Sequence, residues 1–102
     1  MSGKRIQIAE RDLHPHLKAR MHQRGVTQAE IEITLNDGWG ATDAKSGTLG
    51  KVMVFTCDAK WEGRFYQEKE VTVYYRGRLD DALALLTVKA RYGRDFPRGE
   101  QP

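Results

Sequence analysis

Apolar side chains in the first third of the chain recur at helical spacing. Leu13, Leu17 and Met21 fall every four residues and form one apolar stripe along Asp12–Arg24. Pro15 suits the first turn of such a helix, where a missing N–H leaves no bond unmade, so the cap is Asp12 or His14. Gly25 follows as the stop. A second helix starts at once. Thr27-Gln28-Ala29-Glu30 is a capping box, Val26 is placed to staple against Ile31, and Ile31 and Leu35 face one way. Asn36-Asp37-Gly38 ends it. The pattern predicts a helical hairpin with a very short joint. Ahead of it, Ile6 and Ile8 alternate with Arg5, Gln7 and Ala9 as a short edge strand.

Beyond Trp39 the period changes. Residues 39–50 are rich in Gly, Ala, Ser, Thr and Asp and read as a loop. Lys51–Cys57 reads as a strand, 58–67 as a connector, and Glu68–Arg76 as a second strand with Val71, Val73 and Tyr75 on one face and Thr72 and Tyr74 on the other. After a turn over 76–81, Leu83–Tyr92 is a third strand in which Leu86, Val88 and Ala90 alternate with Thr87, Lys89 and Arg91. A helix over 80–86 competes for its first half. Helices followed by strands, in the order α-α-β-β-β, mean an α+β fold: a two-helix hairpin packed on a three- or four-stranded antiparallel sheet. The expected organisation is one domain over 1–93 and a flexible tail over 94–102.

Charge modifies this picture. The net charge is only +3, but residues 1–24 carry six Lys/Arg against two acids, 25–63 three against six, and 64–98 eight against five. Basic ends and an acidic middle suit a nucleic acid or an acidic partner if the ends meet in the fold, and a plain solvated surface if they do not. No apolar run approaches the roughly 20 residues of a membrane span, so no membrane association is expected. Met1–Arg5 leads into no apolar core of a secretory signal, and Cys57 is the only cysteine, so a cytoplasmic protein is expected.

The helical residues carry a resemblance. His16-x-x-x-Arg20-Met21-x-x-Arg24-Gly25-Val26, followed by the capping box and Ile31-x-x-x-Leu35-x-x-Gly38, resembles the bacterial family Domain of Unknown Function 4258 over residues 13–38. That family is in turn similar in architecture to small ribonuclease toxins of the RelE and BrnT type. The resemblance implies a toxin-like, metal-independent endoribonuclease acting on RNA, with no cofactor and with an antitoxin-like protein as partner. The alternative is a non-catalytic module binding protein or nucleic acid, or pairing with a second copy through a free sheet edge.

Metal-free RNA cleavage needs a base, an acid and a cation at the phosphate. His16, Arg91 and Tyr92 are the catalytic candidates: His16 as acid or base, Arg91 on phosphate, Tyr92 to stack or donate. Arg20, Arg24 and Lys89 are the RNA- or phosphate-binding candidates. His16, Arg20 and Arg24 share a helix face by their spacing of four. Lys89 and Arg91 share a strand face, and the two rows meet only around a sheet edge. The competing structural use is that Arg20 and Arg24 pair with Glu30, Glu32 or Asp37 and that His16 bonds a backbone group. His14, His16 and His22 lack metal spacing, because at helix spacing His14 and His16 point nearly opposite ways. Cys57 sits on a strand with no nucleophile signature. Trp39 and Trp61 either close the open end of a small core or stack on bases beside Lys60 and Arg64.

Overall fold

The computed structural model describes residues 5–78 and 81–99. A first helix, α1, spans Pro15–Arg24. His14 caps it: the ring Nδ1 accepts from the Leu17 amide at 3.2 Å, and Nε2 lies 3.0 Å from Leu85 O. A carbonyl can only accept, so Nε2 carries the proton and Nδ1 is free to cap. Gly25 ends the helix in the left-handed region at φ 71°. A side chain there is doubly excluded, because a Cβ would lie 2.6 Å from Trp61 and 2.7 Å from the Tyr92 hydroxyl. The second helix, α2, spans Gln28–Asp37 and opens on the expected capping box, Thr27 with Glu30. Gly38 lets its end approach the sheet, where a Cβ would meet Val52 O at 2.3 Å.

Four antiparallel strands follow in sequential order: β1 Trp39–Gly40, β2 Leu49–Trp61, β3 Arg64–Arg78 and β4 Asp81–Gly93. The fold is α+β, with the helices ahead of the sheet as the pattern predicts. β1 is a two-residue edge strand inside the segment read as a loop. The segment read as a connector at 58–67 is instead the far end of a long hairpin. Trp61 pairs with Arg64 around Glu62-Gly63, both at positive φ, which is a type I′ turn. Glu in place of Asn or Asp at the first turn position hides this signal. Asp58, at φ 43°, marks a bulge between Thr56 and Ala59. The competing helix over 80–86 does not form over the described residues from Asp81, which are strand; Leu79 and Asp80 lie outside the described residues.

A further bulge, where Tyr74 pairs with Thr87 but Tyr75 with Leu85, shifts the face of β4. Leu85 therefore replaces Leu86 in the core, beside Val88 and Ala90. Leu17, Ile31, Leu35, Val71 and Val73 are fully enclosed between the helices and one sheet face. α1 lies over β4, and α2 over β2 and β3. Residues 5–9 form no strand. They run along α2, where side chains one turn apart take the place of a strand partner: Asn36 bonds both N and O of Ile6, Glu32 accepts from Ile8 N, and Gln28 donates to Ile8 O. Residues 94–99, read as part of a tail, cross the other sheet face, where Glu68 accepts from the Phe96 amide and from Arg98. No described helix is long and apolar enough to cross a membrane.

Helices and sheet are tied at the interhelical joint. Lys69 on β3 and Tyr92 on β4 are cross-strand partners on the core face. The Lys69 ammonium donates to Gly25 O and, at 2.8 Å, to the Glu30 carboxylate. The Tyr92 hydroxyl donates to Arg24 O. Two of the carbonyls that a helix end leaves unpaired are thus satisfied by the sheet. The Lys69 side chain is only 9% exposed, so removing it leaves the Glu30 carboxylate without its cation and takes a donor from Gly25 O. Lys69→Met is expected to lower the urea unfolding free energy by about 3 kcal/mol, whereas Lys18→Ala, which breaks an exposed pair with Glu10, should change it by less than about 0.5 kcal/mol.

Candidate functional site

The six candidate residues divide between two faces of the molecule. His16, Arg20 and Arg24 lie one turn apart on α1, with His16 and Arg24 exposed and Arg20 half-buried. Tyr92 is on the helix-facing side of β4, under the end of that helix. Lys89 and Arg91 are on the opposite sheet face. The alternation along β4 that makes Lys89 and Arg91 neighbours also turns Tyr92 away from them. His16, Arg91 and Tyr92 therefore do not converge on one phosphate-sized space, and the helical and strand rows do not join.

On α1, the expected pairing of Arg20 and Arg24 with the acids of α2 does not occur. Glu30 holds Lys69, Glu32 accepts from Ile8 N, and Asp37 holds Arg5 through two contacts of 3.3 Å. Among the described residues, the side chains of Arg20 and Arg24 make no hydrogen bond or ion pair. The backbone bond expected of His16 belongs to His14, which lies outside the helix. For the same reason the two rings do not oppose each other: they are parallel within 10°, with centroids 6.1 Å apart. α1 contains no acidic residue, so Arg20 and Arg24, with His16 one turn before them, form a row without compensation from their own helix. Like charges four residues apart cost a helix roughly 0.2–0.5 kcal/mol per pair.

The opposite face is built differently. Trp39, Val52, Thr72 and Lys89 are successive cross-strand partners spanning all four strands. With Asp43, Glu70, Arg91 and Pro97 they line a cleft of about 390 Å³. Here each cation has a carboxylate. Lys89 bonds Asp43, which also accepts from the Tyr74 hydroxyl at 2.9 and 3.0 Å. The Lys89 bond, then the Tyr74 bond, holds the Asp43 carboxyl below its ordinary range. Arg91 Nε donates to Glu70 at 2.8 Å, and its guanidinium rests 5.0 Å from the Phe96 ring centre. Asp43 and Glu70 were not singled out from sequence, because Asp43 lies 46 residues from its partner.

Tyr92 is enclosed by rings. Trp61 stacks on it at 5.0 Å and 10°, and Tyr66 tilts against it at 5.6 Å. Trp61 therefore closes the end of the core, as one of the two sequence readings expected, and Trp39 lines the cleft. Cys57 is half-buried and its thiol donates weakly to Ala59 O, at 3.9 Å. Among the described residues, no three His, Cys, Asp or Glu side chains gather as metal ligands.

Burial, then the negative charges of Glu30, Cys57 and Glu62, push the Tyr92 phenol up to about 12. Its ordinary value is 10, so the unfolded chain releases this proton first. The stability it supports is present below pH 10 and is lost as pH rises toward 12. Chemical denaturation across this window is expected to show a stability loss that is smaller in Tyr92→Phe, with one late-titrating phenol missing from the ultraviolet titration. An equal loss in both proteins would contradict the assignment. No family model matches the chain, and searches of curated proteins and of solved structures find no match.

Proposed function

We propose that this chain is a non-catalytic module that binds single-stranded RNA through the exposed side of α1, with Arg20 and Arg24 on phosphates and His16 extending the row. One observation carries the reading: Arg20 and Arg24 stand with His16 at successive turns of an acid-free helix, and both arginines are unpaired among the described residues although three acids lie on the adjoining helix. Here the neighbouring acids hold the joint and the N-terminal segment instead, and the row is left for an outside anion. A phosphate backbone matches the repeat with charges of opposite sign and releases counterions on binding. Binding is favoured over cleavage because His16, Arg91 and Tyr92 do not share a face, and Tyr92 already donates to Arg24 O.

The test is anisotropy of a labelled mixed-sequence single-stranded RNA, titrated in EDTA between about 50 and 200 mM salt. Saturable binding is expected, and the double variant Arg20→Gln, Arg24→Gln should flatten the log–log salt slope by about 1.4, two contacts at roughly 0.7 each. An unchanged slope in the folded variant, or no binding at the lowest salt, would overturn the reading. RNA recovered from the same mixtures should be intact. Fragments that disappear with His16→Ala would restore the ribonuclease reading.

A further inference from the structure

The cleft on the far sheet face has the features of a small-molecule site and plays no part in the α1 interface. Its volume of about 390 Å³ falls within the ~300–1,000 Å³ usual for such sites. Its polar groups are incompletely used. Arg91 bonds Glu70 through Nε, and among the described residues both terminal amino groups of the guanidinium have no partner. Lys89 is engaged by Asp43 and lies against Tyr74. Glu70, with a side chain only 13% exposed, takes the Arg91 bond on Oε1 and, among the described residues, nothing on Oε2. Thr72 is 3% exposed and lines the cleft, yet its hydroxyl bonds no described residue. No enclosed side-chain polar atom of the described residues lacks a partner, so this hydroxyl opens onto the cleft.

The charge pattern selects the ligand. Two cations and two carboxylates alternate across one small surface. A purely anionic ligand would meet Asp43 and Glu70, and a purely cationic one Lys89 and Arg91. A molecule with both signs a few ångströms apart satisfies both sets. We propose that the cleft binds a free α-amino acid with an apolar side chain. Its carboxylate pairs with the two terminal amino groups of Arg91, the two-pronged geometry that guanidinium favours. Its ammonium takes Glu70 Oε2 and the Thr72 hydroxyl. Its side chain lies against Val52 and Trp39, whose ring supplies a broad apolar wall.

Calorimetric titration with L-phenylalanine, L-tryptophan and L-leucine tests this, beside 3-phenylpropionate, which lacks the amine, and phenethylamine, which lacks the carboxylate. At least one amino acid is expected to bind saturably, and each truncated analogue of phenylalanine at least tenfold more weakly than phenylalanine itself. Glu70→Gln and Arg91→Gln should each weaken binding at least tenfold. Thr72→Val keeps the side-chain shape and should weaken it several-fold without loss of thermal stability. No saturable binding of any of the three amino acids to folded protein would overturn the proposal. Equal binding of phenylpropionate would overturn it as well, since the amine would then be unread.

Discussion

A buried ammonium holds the two layers together. Lys69 stands on the core face of β3, among valines, and reaches the joint of the helical hairpin, where it meets the backbone carbonyl of Gly25. A charge in that position is stable only if paired and hydrogen-bonded, and Glu30 and Gly25 O supply both conditions. Tyr92, its cross-strand partner, takes the adjoining carbonyl of Arg24, and its ring lies 5.7 Å from the ammonium. The joint must be glycine at Gly25, because Trp61 and Tyr92 occupy the space of any side chain. The short turn, the capping box and the cross-strand pair are therefore one device. Glu30 serves it twice, accepting from Thr27 N at the head of α2 and from Lys69 in the sheet.

This anchoring shapes the electrostatics of both faces. With Glu30 engaged by the sheet, Asp37 by Arg5 and Glu32 by the N-terminal backbone, the acids of α2 are turned away from α1. Arg24 on α1 is exposed and Arg20 half-buried, and neither has a side-chain partner among the described residues. Across the sheet the reverse holds. Lys89 and Arg91 meet Asp43 and Glu70, and that face is polar but balanced. A surface with unpaired cations suits a long polyanion. A concave surface with alternating signs suits a small ligand that carries both.

The hairpin was the most legible part of the chain because its signals are local. Pro15, Gly25 and the Thr27–Glu30 box each fix a backbone state within a few residues, and one of the two cap candidates, His14, is the cap. The sheet was legible in order but not in extent. The β2–β3 hairpin hid behind Glu62 at a turn position that Asn or Asp usually marks, and behind the bulge at Asp58. The slip opposite Tyr74 and Tyr75, which exchanges Leu86 for Leu85 in the core, depends on pairing between strands and leaves no trace in either strand alone. The backbone groups of Ile6 and Ile8 do find partners, but these are amide and carboxylate side chains of a helix, a contact no strand pattern encodes. The candidate site was legible as residue types, not as places. Spacing put His16, Arg20 and Arg24 in one row and Lys89 with Arg91. It could not show that Asp43 and Glu70 answer the strand pair, or that Lys69 would take Glu30 away from the arginines.

On the proposed reading, the arginine row on α1, rather than the balanced face of the sheet, is the surface this chain offers to a polyanion. An amide and arginine side-chain NMR titration of isotope-labelled protein with single-stranded RNA separates the two directly. The perturbed signals are expected to be the α1 amides and the Nε–H groups of Arg20 and Arg24, while those of β4 and of the Arg91 Nε–H stay in place. Perturbation centred on β4 and the cleft, with α1 unmoved, would contradict it.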